Sequence, residues 1–312
     1  MAVNSGFPEF RIDSLLPAEM AERAEGVGIR KVKLDFWTML ALAILAGAFI
    51  AMGAVFATTV TAGGSTLPYG VGRLLAGLVF CLGLILVVVA GAELFTGNNL
   101  IVMAWARGKV TTLQLLRNWV IVYVGNFIGS IATAYIMLAS KQYNFGNGAI
   151  GLNALNTANA KTGLEFVQAV ALGIFCNALV CLAVWLCFSA RSTTDKILSI
   201  LFPISAFVAA GFEHCVANMY FIPIGLLIKN NADPSFWSSK AMMDAKLTAD
   251  SFANLTWENF FVRNLIPVTI GNIIGGAVMV GFIYWFVYLR PSVYPIPARP
   301  ATSKVSEVQI QK

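Results

Sequence analysis

Two ten-residue stretches decide the architecture of this chain: GAELFTGNNL from Gly91 to Leu100, and GFEHCVANMY from Gly211 to Tyr220. Both contain glycine, any residue, glutamate, four residues and asparagine, and both interrupt a long apolar segment. Irregular polar backbone at membrane depth is tolerated only where protein buries it or where it lines a wet cavity. Interrupted hydrophobic segments at matching positions in two halves indicate a transport site. We therefore expect these two breaks to face each other near the middle of a bilayer.

The composition indicates a polytopic protein in contact with a lipid bilayer. Of 312 residues, 58% are hydrophobic and 12% are charged, whereas soluble proteins carry roughly 25% charged residues. The net charge of +6 does not indicate nucleic-acid binding, because the basic residues are spread over loops and ends, where they set topology. We interpret all five cysteines as buried inert thiols. Since His214 is the only histidine, we expect no multi-histidine metal site and no cofactor.

Hydropathy predicts an all-α protein with six transmembrane helices, of which the second and fifth are broken. The predicted spans cover about residues 36–60, 74–106, 113–138, 166–188, 197–228 and 265–289. The piece of span five before its break is too short to cross about 30 Å of hydrocarbon as one helix. Polar loops are predicted over 140–162 and 229–258. The channel domain is then 36–290, with repeats over about 36–138 and 164–289.

The two ends of the chain flank this domain. Residues 1–35 form a predicted arm with an amphipathic helix over 14–30, whose apolar face carries Leu16, Met20, Ala24 and Val27. That helix could lie on the membrane surface or against the mouth of the protein. The tail 291–312 has four prolines and is predicted to be disordered. Six spans place both termini on one side, and the richer Lys and Arg content of that side predicts the cytoplasm.

The repeat extends beyond the two breaks. Span three carries GNFIG from Gly125 and span six carries GNIIG from Gly271, which indicates close helix contact at matching positions. Spans one and four align when Gly47 is matched with Gly173. Because three spans are an odd number, the second copy inserts upside down, which makes this a 3+3 inverted repeat.

His214 is the principal candidate for chemistry, because an ionisable group inside a membrane span is by default a functional hypothesis. Burial disfavours its charged form, whereas an incoming anion favours it. Glu93 and Glu213 would repel an anion if they faced a pore. We therefore expect both to turn away, accept backbone N–H bonds and hold the breaks open, together with the motif asparagines Asn98 and Asn218.

Neutral polar groups and large apolar residues complete the candidate pore. Thr96 offers a hydroxyl in the first break, and Asn177 and Asn272 lie inside spans where facing lipid is unfavourable. Asn126 stands in a Gly-x-x-x-Gly motif, where we expect a packing role. Hydrophobic constrictions must close the pore on both sides of its polar centre. The candidates for those constrictions are Phe80, Leu84, Leu94, Phe95, Val180 and Phe207.

At these residues the chain resembles the formate–nitrite transporter family. The resemblance rests on VVAGAELFTG (88–97), GIFCNALVCLA (173–183), GFEHCVANMYFIPIG (211–225) and NLIPVTIGNIIGG (264–276). It covers about residues 10–290 and is closest to the bacterial formate channels of the family. One departure is Gln168, where the family often has a glutamate, so any scheme that gives this carboxylate an essential role is in doubt.

The resemblance implies an aquaporin-like protomer that assembles as a homopentamer, with one pore in each protomer. It implies that His214 is the central pore histidine, that Thr96 lies opposite it in a mobile loop, and that Lys161 helps to draw the anion in. Asn177 and Asn272 would face the pore, and the six apolar candidates would build the constrictions. The implied cargo is formate with related small monovalent anions such as acetate and lactate, together with protons, in a bacterial inner membrane.

Three other functions stay open at this point. A nitrite or hydrosulfide channel of the same family is the nearest. A membrane enzyme using Glu213 and His214 is disfavoured, because the sequence offers no recognisable nucleophile or second metal ligand. A non-conducting scaffold organised by the two ends of the chain is the third.

Overall fold

The computed structural model describes residues 14–63 and 67–290, and every regular element in this part of the chain is helical. The predicted tail 291–312 and the start of the predicted arm lie outside the described residues. The α-helices are α1 Pro17–Val32, α2 Phe36–Thr61, α3 Tyr69–Ile85, α4 Phe95–Asn98, α5 Val102–Ala106, α6 Thr112–Ala139, α7 Ala149–Thr162, α8 Phe166–Ser189, α9 Thr193–Ala210, α10 Cys215–Asn231, α11 Pro234–Trp237, α12 Lys240–Ala245, α13 Trp257–Asn259 and α14 Ile266–Ile273.

Six helical segments in the described part of the chain are long and apolar enough to cross a membrane. They are Phe36–Thr61, Tyr69–Gly91, Thr112–Ala139, Phe166–Ser189, Thr193–Ala210 and Ala249–Leu289. The predicted all-α, six-span architecture is therefore confirmed. The last span contains π-helical turns at Phe260–Leu265, Ile274–Phe282 and Trp285–Leu289.

Both predicted breaks are present and both begin at a glycine. A π-helical turn, Leu86–Gly91, ends α3, and the chain is extended at Ala92 and Leu94 before α4 starts. The second break runs from Gly211 to His214, between α9 and α10. Gly91 and Gly211 have φ of 89° and 78°, a region that residues with a Cβ avoid. Each break therefore turns at the one residue type that adopts this backbone without strain.

Close helix contacts fix how the two repeats correspond. Gly129 packs on the Ile44 carbonyl and Gly275 packs on the Ile174 carbonyl, where a Cβ on either glycine would collide. Residue 44 therefore corresponds to residue 174. The predicted match of Gly47 with Gly173 is wrong by one helical turn, since Ala43 is the equivalent of Gly173. Small residues recur at each turn of both helices, so a shift of four residues keeps the same face.

Each repeat also begins with a helix that the predicted repeat boundaries leave out. Residues 140–162 were expected to be a polar loop, but they contain a short 3₁₀ turn, Gln142–Asn144, and the helix α7. Its sequence AIGLNALNTANAKT has three asparagines and little hydropathy, which explains the error. Because α7 precedes α8 as α1 precedes α2, these two helices are repeat equivalents. The expected loop 229–258 likewise contains α11, α12 and a 3₁₀ turn.

Helix α1 packs against the protein rather than standing apart from it. Met20, Ala24 and Gly28 are buried, and Gly28 lies against Ile101 and Ala104. Leu16, which was predicted on the apolar face, is instead 65% exposed. Of the two placements left open, the structure has the helix at one mouth of the span bundle. We call this the α1 end and the opposite mouth the α7 end.

Candidate pore between the two helix breaks

The first break is held by a buried network around Glu93. Lys31 Nζ donates to Glu93 Oε1 at 2.7 Å and to Asn98 Oδ1 at 2.9 Å. Asn98 Nδ2 donates to Glu93 Oε2 at 2.7 Å and to Asn118 Oδ1 at 2.9 Å. A buried carboxylate needs a paired charge and full hydrogen bonding, and this network supplies both. Glu93 is thereby bonded within its own break.

The second break has the same construction around Glu213. Lys161 Nζ donates to Glu213 Oε1 at 2.7 Å. Asn218 Nδ2 donates to Glu213 Oε2 at 2.6 Å and to Asn264 Oδ1 at 2.7 Å. Both glutamates therefore act as acceptors within the breaks, but the prediction of backbone N–H donors is wrong, because lysine and asparagine side chains donate. The expectation that both turn away is also wrong, because each glutamate lines the cavity at its own break. Lys31, Asn118 and Asn264 were missed, although Lys31 and Lys161 both stand five residues before a span.

The backbone N–H groups that open α4 and α10 bind asparagines of spans three and six. The Phe95 N–H donates to Asn126 Oδ1 at 2.9 Å, and the Cys215 N–H donates to Asn272 Oδ1 at 2.9 Å. Asn126 Nδ2 donates to the Ala43 and Glu93 carbonyls, and Asn272 Nδ2 donates to the equivalent carbonyls in its repeat. Asn126 packs against α2 as expected, with its backbone close to Gly47, and its amide also caps the first break, which the sequence did not predict.

Thr96 and His214 meet between the two breaks. Thr96 Oγ1 and His214 Nε2 are 2.9 Å apart, and both side chains are buried. The Ala217 N–H donates to His214 Nδ1 at 3.0 Å. Because Nδ1 accepts this bond, the proton of the neutral ring is on Nε2 and is donated to the Thr96 hydroxyl. The imidazole is therefore oriented as a hydrogen-bond donor toward the first break.

Asn177 connects the two breaks from behind this pair. Its Nδ2 lies 3.3 Å from the Thr96 carbonyl, 2.9 Å from Asn99 Oδ1 and 2.7 Å from the Asn272 carbonyl. Asn177 and Asn272 are fully buried, and neither lines the cavities described next. The geometry places both residues as supports of the breaks rather than in contact with a cavity.

A cavity leads to each break from its own end of the protein. The α1-end cavity has a volume of about 550 Å³, and its lining includes Lys31, Leu84 and Leu94. The α7-end cavity has a volume of about 990 Å³, and its lining includes Lys161 and His214. Leu94 and His214 are repeat equivalents, since each follows the glutamate of its break. Each cavity therefore reaches the residue that follows the glutamate of its break. This residue is the apolar Leu94 at the α1 end and His214, with its imidazole, at the α7 end.

The predicted constriction residues are all buried around this centre. Phe80 and Phe207 line the α7-end cavity with ring centroids 5.7 Å apart, and Phe207 lies 5.9 Å from the His214 ring. Leu84 and Leu94 line the α1-end cavity. Phe95 and Val180 line neither cavity. Apolar side chains thus surround the polar pair from both ends.

Each cavity is lined by basic and acidic side chains together, since Glu93 accompanies Lys31 at the α1 end, and Glu213 and Asp244 accompany the basic residues at the α7 end. Beside Lys161, the α7-end cavity has Arg73, whose guanidinium donates to the carbonyls of Val208 and Ala209 at the end of α9. Gln168 also lines this cavity. Within the described residues, no group of three or more His, Cys, Asp or Glu could hold a metal ion. The site therefore combines a lysine–glutamate pair at each mouth, apolar walls and one imidazole donor.

Six spans in an inverted repeat, with two breaks that meet between opposed cavities, define a membrane transport protein. The formate/nitrite transporter family matches residues 18–286, and the chain belongs to this family. It is 47% identical over 278 residues to the formate channel FocA of Escherichia coli (strain K12), which covers 89% of this chain and 96% of that protein. The formate channel FocA of Haemophilus influenzae is 42% identical over 268 residues, or 86% and 93% of the two chains.

Two solved structures share the fold. A pentameric formate channel with formate bound has a TM-score of 0.76 and 50% identity, covering 82% of this chain and 98% of that one. An ion channel described as belonging to the FNT family has a TM-score of 0.71 and 26% identity, covering 86% and 98%. The resemblance identified from the sequence is confirmed.

Proposed function

We propose that this protein is a channel or proton-coupled transporter for formate and related small monovalent anions in a bacterial inner membrane. The observation that carries the proposal is the buried Thr96–His214 pair, which lies between two cavities that each contain a lysine. Similar proteins named as formate channels favour formate over nitrite as the cargo. We also propose a homopentamer with both termini in the cytoplasm, by analogy with the pentameric neighbour and from the distribution of basic residues.

Basic side chains at the mouths perform the first step. Lys161 and Arg73 at the α7 end, and Lys31 at the α1 end, offer charged N–H donors to small anions beside their contacts within the protein. A bare anion still cannot cross Phe80, Phe207 and Leu94 easily, since an isolated charge in an apolar environment is strongly disfavoured. The mouths therefore collect anions that the constrictions alone would reject.

His214 performs the second step. A carboxylate that replaces Thr96 as acceptor receives the Nε2–H bond of the neutral ring. The doubly protonated ring can go further and give one proton to formate, leaving neutral imidazole and formic acid. Protonation of Nδ1 requires the ring to release the Ala217 N–H that now occupies it. Proton loading of His214 is therefore coupled to a change in the cap of α10, and Thr96 holds the ring between passages.

The enzyme alternative gains no support from the site. Glu213 lines the α7-end cavity beside His214, but its carboxylate accepts hydrogen bonds from Lys161, Asn218 and Asn264 and so is not a free catalytic base. The relatives named above are channels. We therefore propose a transport role without catalysis.

The decisive experiment is formate uptake into proteoliposomes across a range of pH, beside nitrite and chloride, for the wild type and His214→Asn. We expect wild-type formate flux to rise on acidification and the variant to lose this dependence. Unchanged pH-dependent flux in the variant would contradict the role of His214. Absence of flux for every anion, in a sample shown to be assembled, would favour the scaffold or enzyme alternatives.

A further inference from the structure

The two break networks differ at one buried oxygen atom. Asn98 Oδ1 accepts a hydrogen bond from Lys31 Nζ, whereas Asn218 Oδ1 is buried and has no hydrogen-bond partner. The amide of Asn218 cannot be turned around, because Nδ2 already donates to Glu213 Oε2 and Asn264 Oδ1. The orphaned atom is therefore an acceptor.

An unpaired buried acceptor calls for an explanation, since nearly all buried polar atoms in native proteins are hydrogen-bonded to protein or ordered water. Asn218 is fully buried and lines the α7-end cavity together with Lys161. Lys161 Nζ has three N–H donors, and its only hydrogen bond within the described residues goes to Glu213 Oε1. An unused donor and an unused acceptor therefore flank the same part of this cavity.

One aromatic ring accompanies the difference. Lys161 Nζ lies 5.5 Å from the centroid of the Phe221 ring, and an ammonium over an aromatic face is attracted by it. The repeat equivalent of Phe221 is Ile101, which has no such face, and there Lys31 reaches the asparagine. In the second repeat, Lys161 Nζ thus lies over the Phe221 ring and does not donate to the asparagine.

We propose that the space between Lys161 Nζ and Asn218 Oδ1 is a binding subsite for a small O–H group. The occupant accepts a hydrogen bond from the lysine and donates one to the asparagine. A carboxylate or halide ion can do only the first, whereas a neutral monocarboxylic acid or a water molecule can do both. Water and the neutral acid have in common an O–H donor and a lone pair that accepts. The identification of the acid as formic acid rests on the function proposed above.

The subsite makes the two ends of the pore chemically unequal. At the α1 end, Lys31 Nζ itself donates to Asn98 Oδ1, so that cavity offers an ammonium without a free amide acceptor. At the α7 end, Asn218 lies one helical turn beyond His214 and adds selection for a proton-bearing species. The protonated cargo is therefore recognised on the α7 side of the central imidazole.

The test uses Phe221→Ile, which gives the second repeat the residue that the first repeat has at this position. Phe221→Tyr, which keeps the aromatic face, is compared with it. Cryo-EM structures of the assembled protein are determined without formate and with formate at acidic pH, at a resolution that shows ordered water. In the wild type and Phe221→Tyr we expect density within hydrogen-bond distance of both Lys161 Nζ and Asn218 Oδ1. In Phe221→Ile we expect Lys161 Nζ itself to occupy that place.

The outcomes separate the two occupants and can overturn the subsite. Density in both conditions identifies water, and density only with formate at acidic pH identifies the neutral acid. A wild-type structure in which Lys161 bonds Asn218 directly, or in which the acceptor faces empty space, refutes the proposal. Ile101→Phe is the matched control and leaves the density beside Asn218 unchanged. These readouts stand even if the protein carries no formate.

Flux provides the second readout. In sided proteoliposomes, Phe221→Ile raises the KM for formate presented at the α7 end by up to about tenfold, the loss of the hydrogen bond from the acid O–H to Asn218 Oδ1, while Phe221→Tyr stays near the wild type. The KM for chloride, which cannot use Asn218, does not rise. An equal rise for both anions would assign Phe221 a general structural role and contradict the subsite.

Discussion

The two helix breaks have one framework and two different centres. In each break a lysine and an asparagine bind the glutamate, and a second asparagine caps the next helix. The centres differ: Leu94 in the first break corresponds to His214 in the second, and Thr96 corresponds to Val216. What the repeats share builds the breaks, and what they do not share supplies the chemistry.

The largest effects are expected where the framework is symmetric. Asn126→Leu and Asn272→Leu each remove an amide that bonds three buried backbone groups. Each buried group left without a partner destabilises the fold by about 1–3 kcal/mol. The stability of each variant should therefore fall by roughly 3 kcal/mol or more, and the variant should fail to yield assembled protein. Fluorescence-detected size exclusion and thermal melting measure this loss.

The control for this pair is Ser130→Ala, which removes a single buried bond to the Gly47 carbonyl and should leave assembled protein. If one asparagine variant assembles normally and the other does not, the two breaks do not share a framework.

The next largest effect is expected at the centres. His214→Leu makes the second centre match the first, so formate flux should fall by at least about tenfold, as expected for one lost hydrogen bond to a charged group. The variant also loses the cap of α10 on Ala217, worth about 1 kcal/mol, which a modest drop in Tm would report. Proteoliposome uptake at pH 6 and pH 8 measures the flux.

Moving the pair to the other centre sharpens this comparison. Leu94→His with Val216→Thr, added to His214→Leu and Thr96→Val, rebuilds an imidazole and a hydroxyl at the equivalent positions. Recovery of pH-dependent flux would show that the framework accepts the chemistry in either repeat. A fourfold variant that assembles but shows no formate flux would mean that transport needs further residues of the second break that the first break lacks.

A smaller effect separates the two lysines. Lys31 makes two hydrogen bonds to break side chains and Lys161 makes one, so Lys31→Met should destabilise the protein by about 1 kcal/mol more than Lys161→Met. Formate flux should respond in the opposite order, because Lys161 retains free donors toward its cavity. Thermal melting and uptake on the same samples test both statements, and an equal loss of stability would contradict the difference in bonding.

The sequence predicted the spans and breaks well because their signals are local. Phe36–Thr61 and Phe166–Ser189 differ from the predicted spans by one residue, since hydropathy and Gly-x-Glu patterns need no knowledge of packing. The signal that shows which residues of the two repeats correspond is not local, because it lies in contacts between distant helices. Matching Gly47 with Gly173 failed because small residues recur every turn, and only the contacts of Gly129 and Gly275 decide between turns.

The candidate site was predicted in its centre and missed in its support. Thr96 and His214 were predicted opposite each other and lie 2.9 Å apart. Lys31 and Asn126 were not assigned to the breaks, because their partners are 62 and 31 residues away in sequence. The polar helix α7 escaped detection for a related reason: packing at the mouth stabilises it, and its own hydropathy does not indicate it.

The smallest effect is expected at the start of the first span of each repeat. Asp35 and Glu165 are equivalent N-cap residues, but only Asp35 accepts the N–H groups of Trp37 and Thr38, both at 3.0 Å. At the start of α8, Gln168 Oε1 accepts the Glu165 N–H at 3.5 Å, and Glu165→Ala leaves that bond in place. Asp35→Ala should therefore lower Tm slightly at neutral pH, and Glu165→Ala should leave it nearly unchanged.

The pH dependence of this difference gives its sign. Hydrogen bonds from the Thr38 side chain and from the Thr38 and Trp37 N–H groups lower the pKa of Asp35. A carboxyl with a lowered pKa stabilises the fold above its ordinary value of about 3.9, and that stabilisation is lost as the pH falls through the lower folded value. The Tm gap between wild type and Asp35→Ala should thus persist from pH 8 to pH 5 and close under strong acid. A gap that widens on acidification would mean that Asp35 acts through something other than its carboxylate cap.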